Sequence, residues 1–328
     1  MSGSFASARS FLPARHLLGN GTLIVAIIYV VLFAAFAARQ DDALSLTGIT
    51  DLFNNALPLA LAAAGGALVV LTRGFDLSVA GVVALSNVLM ATQVGDGPSG
   101  ALFGLVLVAA VGCVVGAVNG FLVAYVRLQS IASTLATMIV SSGLALLVLD
   151  APGGSVPDFV SYALTDVVLG RIPVAALIVA VVVLVWMALR RTDWGVALYA
   201  VGADETAAGL AGIPTRRVKF FAYCLAGVFY GLSGYMLSAL TATGNPNAGN
   251  SYLLLTFAAI AIGGTSFSGG RGGLVGAMIG AATLSLLQKV LFSAGVSSFY
   301  TGIFQGAVMI LAVLIAAVSE LFARGRRV

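Results

Sequence analysis

The sequence predicts an all-α, polytopic transmembrane helical bundle of about ten spans, and three observations predict it. Of the 328 residues, 60% are hydrophobic and only 9% are charged, whereas a soluble domain carries about 25% charged residues. The apolar residues fall in runs near the length of about 20 that an α-helix needs to cross a bilayer. The cations then sort to one side of those runs. A chain of this kind is expected to fold as one transmembrane domain, 1–328, with a cytoplasmic tail at 1–21 and a long cytoplasmic loop at 190–217.

Ten apolar segments can be drawn, at 22–38, 52–71, 75–93, 101–124, 131–149, 172–189, 218–240, 252–267, 273–292 and 301–322. Lipid cannot satisfy backbone N–H and C=O groups, and the runs are too long for barrel strands, so each is expected as a helix. The first run follows Arg9 and Arg15 and ends near Ala35, Phe36 and Ala37. Cleaved leaders share that pattern, and so does a permanent first anchor.

With the N-terminus in the cytoplasm, the inner side holds Arg9, Arg15, Arg73, Arg127, Arg190, Arg191, Arg216, Arg217, Lys219, Arg271, Arg324, Arg326 and Arg327. The outer side holds only Arg39 and Arg171, and Lys289 alone lies within a span. Positive residues favour cytoplasmic loops, so this bias supports ten spans with both termini inside. Lys289 is expected to snorkel to an interface. The net charge of +4 therefore reads as membrane orientation, and nucleic acid is not expected as a partner. Cys113 and Cys224 both sit in apolar runs and are expected as buried thiols, too few for a disulfide framework.

Two stretches interrupt the apolar runs, one in each half of the chain. They are Thr72-Arg73-Gly74-Phe75-Asp76-Leu77-Ser78-Val79-Ala80-Gly81 and Gly263-Gly264-Thr265-Ser266-Phe267-Ser268-Gly269-Gly270-Arg271-Gly272-Gly273. Matched breaks in two halves suggest an internal pseudo-repeat and point to a translocation path. Each is either a short cytoplasmic turn or a break deeper in the membrane that lines a cavity. Segment 101–124 continues a four-residue glycine spacing from Gly100 through Gly104, Gly112, Gly116 and Gly120, and segment 273–292 does so from Gly272 through Gly276 and Gly280. Small residues at this spacing let helix backbones approach closely, so these glycines are expected to pack helices.

The outer connection 150–171 reads as a solvated loop or a surface for a delivery protein. In the inner loop, Asp204 and Glu205 suit a helix start, and Gly212 with Pro214 suits its stop. A short cytoplasmic helix over 204–212 is expected. Its Ala207, Ala208 and Gly209 make it small enough to sit in a partner's groove, with an ordinary connecting loop as the alternative.

Enzymatic chemistry is not expected. There is no G-x-x-x-x-G-K-[ST] phosphate loop, no H-E-x-x-H, no cysteine-rich metal spacing, and the single His16 precedes the first span. No cofactor or metal is expected either. Asp76 either caps the helix that follows it, lines the path or couples transport to an ion. Neutral polar groups are more numerous: Ser86, Asn119, Thr134, Thr137, Ser141, Ser285 and Gln288 join the residues expected to line the substrate path. Those are Asn54, Asn55, Phe75, Asp76, Ser78, Asn87, Thr265, Ser266 and Phe267. Some of these groups hydrogen-bond between helices instead.

Three of these stretches resemble the ribose-type permeases of bacterial ATP-driven sugar importers. The family's Asp-Leu-Ser-Val motif is similar to Arg73-Gly74-Phe75-Asp76-Leu77-Ser78-Val79-Ala80. Its inner-loop motif is similar to Tyr199-Ala200-Val201-Gly202, Ala207-Ala208 and Gly212-Ile213. Its late motif is similar to Ile262-Gly263-Gly264-Thr265, Gly269-Gly270-Arg271-Gly272 and Gly276. Arg73 and Ala80 stand where the family has glycine, and Ala203-Asp204 where it often has Asn.

The resemblance implies a permease in the bacterial inner membrane, one of two in a dimeric channel, with the same or a paralogous chain beside it. An ATP-hydrolysing subunit would dock below, on Gly202, Asp204, Glu205, Ala207, Ala208, Gly212 and Ile213. A periplasmic binding protein would deliver a monosaccharide or related polyol from above. The rival expectations are a stand-alone secondary carrier or uniporter using Asp76, and a membrane scaffold that transports nothing.

Overall fold

The computed structural model describes residues 21–296 together with Tyr300, Ile303, Gly306, Ala307 and Ile310. The tail 1–20 and the span expected at 301–322 lie outside the described residues, apart from those positions. The described chain is helical almost throughout. Its elements are α1 (Gly21–Ala37), α2 (Leu46–Leu71), α3 (Val79–Gln93), α4 (Gly97–Ala124), α5 (Ser130–Val148), α6 (Asp158–Thr165), β1 (Val167–Val168), β2 (Ile172–Pro173), α7 (Val174–Leu189), α8 (Asp193–Ala203), α9 (Glu205–Leu210), α10 (Thr215–Thr241), α11 (Asn250–Ile262) and α12 (Leu274–Ser293).

Each of the nine expected segments among the described residues is a helix. Five are long and apolar enough to cross a membrane: α2, α4, α5, α10 and α12. α7 and α8 together are also long and apolar enough, but they are bent by 79° where Arg190, Arg191 and Thr192 separate them. The helices beside the two interruptions are short, because α3 starts only at Val79 and α11 already stops at Ile262. At ~1.5 Å per residue they reach roughly 20 Å, against a hydrocarbon core of about 30 Å.

The core forms around α2, which is almost wholly buried from Leu57 to Leu71. Ala60, Ala63, Ala64 and Ala67 meet Ala222, Ala259, Ala277 and Ala281 of α10, α11 and α12. α10 lies between α2 and α4. On α4 the expected glycine face is the packing face: a Cβ at Gly112 would stand 2.0 Å from the Gly227 carbonyl oxygen, and one at Gly116 would stand 2.3 Å from that of Tyr223. The partner face on α10 uses Gly227 and Gly231, also four apart. Gly276 and Gly280 bring α12 onto Gly263 and Ala259 in the same way. Gly272 does not share that role; it lies before α12, in the second interruption.

Several expectations need correction. Cys113 is exposed on the bundle's outer surface and Cys224 is half-buried, because both line an apolar groove between α4 and α10 with Phe221 and Val228. The expectation for Lys289 is not among them: its Nζ lies 3.9 Å from Asp51 Oδ2. The connection 150–171 is not a plain loop. It carries α6 and the β1–β2 hairpin, and Gly153 and Gly244 exchange two 2.9 Å backbone hydrogen bonds. The connection 190–217 holds two helices, α8 as well as α9, because Thr192 caps α8 by accepting from Gly195 N.

Candidate translocation and coupling site

The two interruptions meet at one end of the bundle. Both open with the same helix stop. After α2, Arg73 N donates to Val70 O and Gly74 N donates to Val69 O. After α11, Gly264 N donates to Ala261 O and Thr265 N donates to Ile260 O. This six-to-one, five-to-two closure needs a left-handed residue just past the helix. Gly264 supplies it with φ +78, but in the first interruption the residue is Arg73, with φ +63.

Beyond its stop, the first interruption is held by side chains of α4, α5 and α10. Ser130 Oγ accepts from Phe75 N (3.2 Å), and Thr134 Oγ1 accepts from Leu77 N (3.0 Å). Asp76 turns back on its own segment: Oδ1 accepts from Ser78 N (3.0 Å) and from Ser78 Oγ (2.6 Å). Asn119 Nδ2 donates to Ser78 Oγ, and Thr137 Oγ1 donates to Asn119 Oδ1. Asp76 is buried and closes the turn onto Ser78, the residue just before α3. Its Oδ2 has no partner within hydrogen-bond distance, and Tyr230 faces it from α10.

The second interruption folds mostly on itself. Ser266 N donates to Arg271 O, Gly269 N to Ser266 O, and Gly273 N to Thr265 Oγ1, which in turn donates to Gly273 O. It then reaches out to neighbouring segments. Gly270 N donates to Leu71 O (3.0 Å), at the end of α2. Gly272 O accepts from the Tyr199 hydroxyl of α8 (2.9 Å). Phe267 stacks on Phe75 with ring centroids 5.7 Å apart, and Phe257 of α11 closes an aromatic triad at 5.8 Å from Phe75.

The short helix α9 hangs from the same place. Asp204 caps it by accepting from Ala207 N (2.9 Å), Gly212 ends it with φ +83, and Glu205 pairs with Lys219 of α10. Gly202, at the end of α8, is pressed against the end of α2 and the second interruption: a Cβ there would stand 1.7 Å from Leu71 O and 2.6 Å from Gly270 N. Ile213 N returns to Ala208 O, and its side chain is half-buried. Ala208 is 5% exposed and points into the chain's own core, whereas Ala207 is exposed and Leu210 is 87% exposed. A bulky residue at Ala208 therefore disturbs the core, and the outward face of α9 is Ala207 and Leu210. A cleft of about 640 Å³ opens here, lined among others by Arg73, Arg127, Glu205, Leu210, Lys219 and Tyr223.

Of the expected path residues, Phe75, Asp76, Ser78, Thr265, Ser266 and Phe267 gather at this end. Asn54, Asn55 and Asn87 do not. Asn54 Nδ2 donates to Thr165 O after α6, and Asn55 Nδ2 donates to Asp51 O of its own helix. Asn87 is buried and fully engaged, donating to Ser238 Oγ and Thr243 O and accepting from Asn245 N. Asn54 and Asn87 fasten the opposite end of the bundle, and Asn55 bonds only within its own helix. Sequence reasoning passed over Leu210, Tyr223 and Tyr230, and met Tyr199 only as part of the inner-loop motif. Leu210 was visible as the one large apolar residue on a helix of small ones. The tyrosines were visible as hydroxyls inside or beside apolar runs.

The chain is similar to known transport proteins. Residues 48–313 match the family described as the branched-chain amino acid transport system / permease component. The chain is 36% identical over 302 residues to the ribose import permease protein of Bacillus subtilis strain 168, covering 90% of each. It is 32% identical over 323 residues to the ribose import permease protein of Escherichia coli K12, covering 96% of this chain and 98% of that one. A galactose/methyl galactoside import permease protein of Haemophilus influenzae is 29% identical over 311 residues, covering 88% and 91%. No solved structure matches.

Proposed function

Because the chain belongs to the branched-chain amino acid transport system / permease component family, we propose that it is the membrane-spanning permease subunit of an ATP-binding-cassette importer for a monosaccharide or related polyol. ATP is hydrolysed on a separate subunit, and this chain contributes no chemical step. The observation that carries the reading is the joint between α8 and α9. Gly202 and Ala203, which end α8 just before α9, meet the end of α2 and Arg73 of the first interruption, and α8 touches the second through Tyr199. A push on α9 from below is thereby delivered to both breaks of the path.

In this reading the interruption end is cytoplasmic. Arg73, Arg127, Arg190, Arg191, Arg216, Arg217, Lys219 and Arg271 belong to it, as positive residues favour the inner side. The start of α1 lies there too, since Gly21 abuts Gly264. The ATPase subunit docks on the exposed face of α9. A periplasmic binding protein meets the opposite end, where α6 and the β1–β2 hairpin lie. A second permease chain, identical or paralogous, completes the channel in the bacterial inner membrane. Phe75, Phe257 and Phe267 fill the space between the breaks, so solute passes only when this triad parts. Asp76, Ser78, Thr265 and Ser266 are the polar groups beside it. The family description names branched-chain amino acids, but the relatives named for ribose and galactose favour a sugar.

Co-purification from native membrane in mild detergent, with every co-eluting chain identified by mass spectrometry, tests the reading. A stoichiometric phosphate-loop ATPase is expected. This chain eluting alone, yet moving labelled ribose in liposomes, would establish a stand-alone carrier instead.

A further inference from the structure

Arg73 combines two features that do not usually occur together. Its backbone is left-handed, with φ +63, a conformation that costs an L-residue with a Cβ and that helix stops normally give to glycine. Its side chain spans three separate parts of the chain. Nε donates to Ser268 O in the second interruption (2.7 Å), and the terminal guanidinium nitrogen donates to Ala203 O at the end of α8. The Arg73 side chain also packs against Gly269, whose Cβ position would lie 2.5 Å from Arg73 Cγ.

We propose that Arg73 is a positioning residue, a strut that locks the first interruption, the second interruption and the α8–α9 joint into one mechanical unit. The inference rests on the transport reading above and adds to it the residue through which the joint and the breaks move together. Only arginine does this from one position: its fixed fork offers donors in two directions from separate nitrogens, whereas the three donors of lysine all sit on one ammonium nitrogen. The acceptors are backbone carbonyls, so the strut does not depend on which side chains occupy 203 or 268. The left-handed backbone aims the side chain away from α2 and across to the other two segments.

The test separates strut from scaffold, because Arg73→Gly suits the left-handed backbone better than arginine does. In the full chain in nanodiscs, Arg73→Gly is expected to melt no lower than wild type. Hydrogen exchange at 266–272 and at 203–206 is nonetheless expected to rise at least tenfold, with α4 and α10 unchanged. Arg73→Lys is expected to restore protection to one of the two segments at most. Unchanged exchange, or a rise confined to one segment in Arg73→Gly, overturns the proposal. In the co-purified complex, ATP hydrolysed per labelled ribose imported is expected to rise at least threefold in Arg73→Gly at equal abundance. An unchanged ratio despite lost protection also overturns it. The exchange arm needs no partner, so a missing ATPase would sink the transport reading while the strut is still judged.

Discussion

Both interruptions begin with the same left-handed stop, after Leu71 and after Ile262, and then diverge. The first is short and held from outside. Two of its backbone N–H groups go to Ser130 and Thr134 of α5, and Asn119 of α4 holds the Ser78 hydroxyl. The second is longer and rich in glycine, with Gly264, Gly269, Gly270 and Gly272 all left-handed. Its hydrogen bonds are mostly its own. A break held by neighbouring helices keeps its shape only while those helices stay in place. A break that closes on itself travels as a small rigid body. The first is thus suited to sense helix movement and the second to act as a plug, with Arg73 between them.

If that contrast is right, the two breaks answer differently to substitution. The largest effect is expected in the second. Gly272 has φ +100, and a Cβ there would stand 2.4 Å from Thr265 Cα. Gly272→Ala combines backbone strain with a clash that no rotamer relieves, at a cost of about 3 kcal/mol. Gly74→Ala in the first break meets mainly the Tyr223 hydroxyl and a Val69 methyl, which shift at smaller cost. Thermal unfolding in detergent measures both, and equal losses would erase the contrast.

Asp76→Ala comes next. It leaves Ser78 N and Oγ without their buried acceptor, for a loss of about 1–3 kcal/mol. Asp76→Asn retains an acceptor oxygen, so stability and uptake of labelled ribose are expected to stay near wild type. Loss of uptake in a stable Asp76→Asn protein would return Asp76 to an ion-coupling role. Asn119→Ala removes the link between Ser78 and Thr137 and is expected to cost about 1 kcal/mol, with exchange rising at 75–78 and not at 266–272.

How much of this was legible follows from what each feature depends on. Helices were legible because lipid forbids alternatives, and the breaks because glycine and charge interrupt apolar runs. α9 was legible because its cap and stop are local, within 204–213. The polar residues could not be sorted, because an asparagine in a span reads the same whether it lines a path or fastens a helix. Asn87 is consumed by Ser238 and by the loop at 243–245, far off in sequence. Arg73 read as a bulky cation beside a break. That it stands in a glycine's conformation and reaches both Ala203 and Ser268 depends on contacts across 130 and 195 residues. The inward turn of Ala208 was equally hidden, since Ala207 and Ala208 differ only in which side of one short helix they occupy.

The smallest structural effect is expected on α9 itself, and it separates docking from folding. Leu210 is 87% exposed. Leu210→Asp removes no core contact, so stability should stay within about 0.5 kcal/mol of wild type. Exchange in both interruptions should be unchanged, because the strut and the cap by Asp204 remain. If the exposed face of α9 is where an ATPase subunit sits, burying an unpaired carboxylate there is costly, and recovery of that subunit should fall at least tenfold. Ala208→Trp serves as the contrast, since it is expected to lose subunit and stability together by overfilling the core. An ATPase that still co-purifies fully with Leu210→Asp would move the docking surface off α9, most directly to the basic cleft beside it, and leave the two breaks without their proposed lever.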